Sequence, residues 1–242
     1  MTTILQGDMF SLFPNIQDKS ITLFLIDLPY NQTDLEFDKT TINLDKLWIE
    51  LKRTGKANAC YIFFCTTKFG YKLIQSNEKW FRYDLVWNKP NGSAGFLNAK
   101  KMPIRQHEMI YVFYNKLPVY NIEDNHIRIN DKLTNGIIQG GVYDRKLIRT
   151  TGRCYEPKLP VSVLTFPIEK FMKYKKHPTE KPVQLYEYLI QYYSKKGDSV
   201  LDPCFGSANS LIASRNLDRI YFGFELNENY YNNAIKDEKM VN

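Results

Sequence analysis

Apolar runs of strand length alternate with stretches of helical spacing along most of the chain. Residues 2–6 and "SITLFLI" (20–26) read as short buried strands, rich in β-branched and large apolar side chains and closed by turn formers. Leu44, Leu47, Trp48 and Leu51 share one face of a helix predicted between Leu44 and Lys56. "ANACYIFFC" (57–65) is a further buried strand, and "TKFGYKLIQS" a helix behind it. Residues 81–89 and 107–115 follow as two strands whose Gly/Asn/Pro-containing link predicts an antiparallel pairing near one edge. In "KPVQLYEYLIQYYSK", Leu185, Tyr188, Leu189 and Tyr192 line one helical face, and Pro182 suits the first turn. A strand "SVLD", a loop "PCFGSAN", a helix "SLIASRNL", a strand "IYFGFE" and a helix from about Glu228 complete the chain. Strand alternating with helix predicts an α/β fold, a doubly wound and mostly parallel Rossmann-like sheet with an antiparallel edge strand.

Between about 116 and 176 the pattern fades and Gly, Asn and basic residues accumulate. The net charge of +7 is concentrated there, with 12 Lys+Arg against 6 Asp+Glu, whereas the rest of the chain nearly balances at 21 against 20. We read 116–176 as an inserted recognition segment facing a polyanion, and residues 1–115 with 177–242 as one catalytic domain. The four cysteines (Cys60, Cys65, Cys154, Cys204) form no CxxC pair and the three histidines are scattered, so neither a disulfide framework nor a metal site is expected. No apolar run approaches membrane-spanning length and the N-terminus lacks a leader pattern, which predicts a cytoplasmic protein with no membrane partner.

Two strand ends carry the candidate chemistry. After "SITLFLI" the chain places Asp27, Leu28, Pro29 and Tyr30: an acid, a stiff turn and an aromatic ring. After "SVLD" comes a Gly/Ser-containing loop, Asp202 to Ser210, that opens a helix, and Glu225 ends the next strand about 20 residues on. That spacing suits an adenosine ligand, with the helix N-terminus toward an anionic group and the acid toward ribose hydroxyls. The GxxxxGK[ST] spacing is missing, and one glycine, Gly206, is too few for a GxGxxG fingerprint. A ligand combining adenosine with an amino-acid carboxylate fits better than a pyrophosphate cofactor.

Taken with "HPTEKP" (177–182), "VLDPCFGSAN" and "YFGFELNENYYNNA", the tetrapeptide "DLPY" makes the chain resemble the β group of S-adenosylmethionine-dependent DNA amino-methyltransferases, the N6-adenine/N4-cytosine family. The resemblance extends over almost the whole chain through "QGDMF", "RQHEMIYVF" and "LPVSVLTFP". It implies S-adenosylmethionine as cofactor, Asp8 beside its adenine, and Glu225 on its ribose. Asp202, Gly206 and Ser207 would shape the pocket for its methionine part with Phe205 as a neighbour, and His177, Thr179 and Lys181 would lie beside its amino-acid end. The family's common DPFxGSGT loop is altered here at Cys204, Ala208 and Asn209, and its common DPPY has Leu28 for the first Pro.

The same resemblance implies a site-specific enzyme acting on a base flipped from duplex DNA. Asp27 and the Leu28 carbonyl would accept bonds from the exocyclic amine, Pro29 would brace the loop, and Tyr30 would stack on the base. The leading Asp favours adenine N6 over cytosine N4. A catalytically inactive DNA-binding subunit and an RNA methyltransferase stay open as alternatives, as do a homodimer and a cognate restriction endonuclease as partner.

Overall fold

A computed structural model describes residues 2–29, 42–138, 146–169 and 179–236, with backbone alone for Phe96, 130–138 and 146–154. Two compact units emerge: Met1–Tyr120 with Ser162–Asn242, and Asn121–Val161.

The first unit is built on an eight-stranded sheet. Its strands are β1 (Thr3–Gln6), β2 (Ile21–Ile26), β3 (Gly55–Cys65), β4 (Phe81–Asn88), β5 (His107–Phe113), β8 (Val163–Thr165), β9 (Ser199–Asp202) and β10 (Ile220–Glu225), in the order β1-β10-β9-β2-β3-β5-β4-β8. The pairings β1–β10, β10–β9, β9–β2, β2–β3 and β4–β8 are parallel. β5 alone runs against its neighbours, so the expected antiparallel pairing of 81–89 with 107–115 is present, and β5 lies between β3 and β4 toward one end of the sheet. The three-residue β8, drawn from within 116–176, pairs outside β4.

Helices cover both faces. α1 (Met9–Leu12), α2 (Leu44–Thr54) and α3 (Thr67–Ser76) cover one side; α4 (Val183–Tyr193), α5 (Asn209–Asn216) and α6 (Glu228–Lys236) belong to the other. Alternation along β2 and β3 sends Phe24, Ile26, Tyr61 and Phe63 to the α2 side, where Leu47, Trp48 and Leu51 meet them in the main core. Phe24 stacks on Tyr61 with ring centroids 4.7 Å apart. The buried α4 ring of Tyr186 meets Phe64 edge-on at 5.4 Å on the opposite face. Strands covered on both faces read as nearly continuous apolar runs, and β2 is buried at all six positions, its one polar residue, Thr22, donating its hydroxyl to Asp198. Burying each such side chain contributes roughly 1.5–3 kcal/mol.

α2 and α3 begin as their sequences dictate: Asn43 and Thr66 accept the N–H groups of Lys46 and Phe69. α1 is an element that the apolar pattern does not announce. Its four residues are fixed by the Asp8 side chain, which accepts from Phe10 N and Ser11 N.

The arrangement creates a switch point. From β2 the chain steps to β3 on one side, and from β9 to β10 on the other, while β2 and β9 pair directly (Leu23 with Val200, Phe24 with Leu201). In such sheets the crevice outside the carboxyl ends of the switch-point strands takes ligands. Asp27 and Asp202 stand at those two ends.

The second unit carries an antiparallel pair, β6 (Ile127–Ile138) and β7 (Lys146–Glu156), running from Ile127 opposite Glu156 to Ile138 opposite Lys146, with a register shift between Ile129 and Lys132. Within it, His126 Nδ1 lies 2.7 Å from the Pro157 carbonyl oxygen. Among the described residues, no helix is long and apolar enough to cross a membrane.

Candidate active site

The loop after β9 is organised by two buried acids. Asp202, 1% exposed, accepts the Cys204 N–H at 3.0 Å through one oxygen and the Ser210 hydroxyl at 2.5 Å through the other. Burial raises its carboxyl pKa to about 7 against the opposing pull of these bonds. Glu225, at the end of β10, accepts Gly206 N and Asn227 N, each at 2.8 Å, through its two oxygens. Burial again raises the pKa, while its backbone N–H donors draw it down.

Backbone conformation lets this loop double back onto the sheet. Gly206 takes φ +50°, and Ala208, the N-cap of α5, takes φ +62°. Phe205 N donates to the Phe224 carbonyl at 3.1 Å, and its ring packs with Leu211, Tyr221 and Ala234. The neighbouring strand residue favours glycine: a Cβ at Gly223 would lie 2.6 Å from the Leu211 side chain and 2.8 Å from the Phe205 ring, and those side chains would have to shift. Among the described residues, no side chain caps α5.

The strand-end residues Asp27–Pro29 are tied to that loop. The Cys204 thiol donates to the Asp27 carbonyl oxygen at 3.3 Å. Burial first, then the Asp202 and Asp27 charges, holds the thiol's pKa well above its ordinary value, so it acts as a neutral donor. Leu28 is buried in the main core and Pro29 half-buried beside it. The Asp27 side chain is only partly covered and receives the Lys181 ammonium directly.

Lys181 is 3% exposed and stands just before α4, its carbonyl accepting from Asn209 Nδ2 at 2.8 Å. Its Nζ lies 5.3 Å from the Phe64 ring centroid and 3.7 Å from Glu108 Oε2. Glu108 Oε1 in turn receives the Lys89 ammonium. Burial works to lower the Lys181 pKa, but Asp27 and Glu108 outweigh it and leave the ammonium above the usual lysine value. For Glu108 burial works upward, and Lys181 and Lys89 outweigh it to leave the carboxyl below its usual range. Four charges of alternating sign thus line the crevice from β2 to the ends of β4 and β5.

Of the residues predicted from sequence, Asp27, Leu28, Lys181, Asp202, Phe205, Gly206, Ser207 and Glu225 gather at this switch point. Asp8 adjoins it through β1, whose Gln6 pairs with Glu225 and whose next residue, Gly7, donates N–H to the Glu225 carbonyl at 2.9 Å. Thr179 is exposed ahead of Lys181. Tyr30 and His177 lie outside the described residues. The sequence reading missed Lys89, Glu108, Ser210 and the structural bond of Cys204. In the sequence, Lys89 and Glu108 look like solvent-facing residues flanking strands; only the antiparallel pairing of Trp87 with Glu108 turns both into this crevice.

This chain belongs to the N6/N4 DNA methyltransferase family: the family model described as DNA methylase matches residues 21–236. Among relatives, DNA adenine methyltransferase YhdJ of Escherichia coli K12 is 26% identical over 253 residues, covering 97% of this chain and 81% of that protein. Type II methyltransferase M.Cfr9I of Citrobacter freundii is 28% identical over 162 residues, 67% of this chain; the match spans only 45% of that enzyme's length. Among solved structures, the M1.HpyAVI–SAM complex superposes with a TM-score of 0.65 at 19% identity, covering 98% of each chain. The cytosine-N4-specific PvuII DNA methyltransferase gives 0.66 at 15% identity, covering 95% of this chain and 85% of that one. At these identities the structures establish the fold.

Proposed function

We propose that this chain transfers the methyl group of S-adenosylmethionine to the exocyclic N6 of an adenine turned out of duplex DNA. The observation that carries the reading is the join between the two strand ends: β2 and β9 are direct parallel neighbours, and the Cys204 thiol bonds the cofactor loop to the Asp27 carbonyl. The residues fit the cofactor. Acids Asp8 and Glu225 adjoin one end of the loop, Gly206 bends it, and α5 has no side-chain cap to compete with an anionic group. Loop residues 202–207 with Asp8, Glu225, Thr179 and His177 would hold it. When bound, the cofactor supplies an electrophilic methyl on a sulfonium, a good leaving group.

The remaining work is orientation. The lone pair of an aromatic exocyclic amine is delocalised into the ring, so the nitrogen is a poor nucleophile. Asp27 and the Leu28 carbonyl accept hydrogen bonds from its two N–H groups and favour a more tetrahedral nitrogen with the lone pair aimed at the methyl; as the N–C bond forms and the S–C bond breaks, Asp27 relays the proton the nitrogen sheds to water. Leu28 is anchored in the core, which fixes the direction of its carbonyl, and Pro29 stiffens the exit from β2. Tyr30 stacks on the extruded base, a contact worth roughly 1–3 kcal/mol in single-stranded recognition, against a flipping cost of a few kcal/mol. The leading Asp, and the adenine specificity in the name of YhdJ, support adenine as the target. Segment 116–176, with its concentration of basic residues, faces the duplex.

Labelled-methyl transfer to duplex DNA and to RNA, run with the parent chain and Asp27→Ala, tests this reading. The parent labels DNA and the variant binds cofactor but labels nothing. Transfer to RNA alone, or duplex binding with no transfer to either, overturns it.

A further inference from the structure

Base handling by Asp27 has a rival: the carboxylate that would accept the target amine already holds the Lys181 ammonium on Oδ2. A buried ammonium cannot be released into the crevice without a second partner, because an uncompensated buried charge is strongly destabilising. That partner stands beside it. Glu108 Oε2 is 3.7 Å from Lys181 Nζ, buried, and without a hydrogen-bond partner among the described residues, while Oε1 of the same carboxylate is held by Lys89. The Phe64 ring, 5.3 Å from Nζ, offers the ammonium a π face in the same region.

We propose that Lys181 is a counterion switched between two carboxylates: it rests on Asp27, and moves onto Glu108 Oε2 when the target amine arrives, so that Asp27 can accept the amine. Lys181 and Glu108 are positioning residues in this scheme, and Lys89 fixes Glu108 to receive the ammonium. The move is within reach of a lysine side-chain torsion. No proton moves in it, and the alternating sequence of two acids and two ammonium groups keeps the crevice neutral throughout. Lys181 returns to Asp27 once the methylated base leaves.

The inference rests on Asp27 handling the base, and the test separates the two. Single-turnover methylation of plasmid DNA at saturating cofactor is compared for the parent, Glu108→Gln, Glu108→Asp and Asp27→Asn. The amide is a weak acceptor for an ammonium, so Glu108→Gln should slow the methylation step at least tenfold, with cofactor affinity within about twofold of the parent. Glu108→Asp keeps the anion and should recover a large part of the rate. Without cofactor, Glu108→Gln should also lose the parent's preference for a duplex carrying the target adenine, located by mapping the parent's methylated product, over one carrying purine, which lacks the amine. An unchanged rate in Glu108→Gln, cofactor affinity falling in step with the rate, or failure of Glu108→Asp to recover activity overturns the switch. If Asp27→Asn methylates at the parent rate, the base-handling assignment fails instead.

Discussion

Glu225→Gln tests one job of that carboxylate, the ordering of the loop after β9. In the fold, both oxygens are committed to backbone N–H groups, Gly206 on the cofactor loop and Asn227 at the start of α6, each at 2.8 Å. Charge-assisted bonds of this kind contribute about 1.5–3 kcal/mol each. Glutamine offers one carbonyl oxygen and an NH2 group, so one N–H keeps a weakened bond while the other meets a donor. The loop should lose about 2–3 kcal/mol of order, and where that order is a condition of binding, S-adenosylmethionine affinity falls about 30- to 150-fold. The sheet beneath does not depend on either bond, so the chain stays folded, with a melting temperature lower by about 4–12 °C. Titration calorimetry with S-adenosylmethionine, alongside a thermal melt, measures both. Cofactor affinity within threefold of the parent would refute the view that Glu225 organises the loop.

Ala208 sits at φ +62°, where a Cβ is strained and the family commonly has Gly; Ala208→Gly should raise unfolding free energy by about 0.5–1 kcal/mol in urea, after allowing for the looser unfolded chain. Asp202 binds its proton more tightly when folded, at about 7, than when unfolded, at about 3.9. Its contribution to stability is therefore full below pH 4 and is lost as pH rises to about 7, a slope of up to about 1.4 kcal/mol per pH unit. Asp202→Asn should remove that slope, seen as a difference between the two chains' urea midpoints from pH 4 to 8. Replacing Arg128, Lys132, Arg149 and Arg153 with Gln should weaken duplex affinity and flatten its salt dependence, by about 0.9 in log–log slope for each phosphate no longer neutralised. An unchanged slope would remove 116–176 from the DNA interface.

Much of this fold is legible in the chain because its sheet is buried on both faces, so strands announce themselves as apolar runs: 57–65, 199–202 and 220–225 all fall within observed strands. α3 is found at its expected residues because Thr66 caps it. The pattern is silent on α1, a single turn held by one acid, and on β6 and β7, whose residues include Gly136 and Gly152 and polar residues on both sides. At the site, Asp27, Asp202 and Glu225 are legible because each stands where a strand stops. Their bonding is not: Asp202 and Glu225 point into the loop's own N–H and O–H groups, and Cys204 reaches back to Asp27 over 177 residues of chain. Glu108 cannot be found from periodicity, since a polar residue at the mouth of an apolar strand reads as solvated until the reversed strand turns it inward.

The central claim is that an acid at the end of β2 presents an adenine amine to a methyl donor. Its most direct test is the chemical identity of the product: duplex DNA treated with the chain and isotopically labelled S-adenosylmethionine, digested to nucleosides and analysed by mass spectrometry. The account predicts label in N6-methyldeoxyadenosine, and none after Asp27→Ala. Label in N4-methyldeoxycytidine, or in no nucleoside of the duplex, would contradict it.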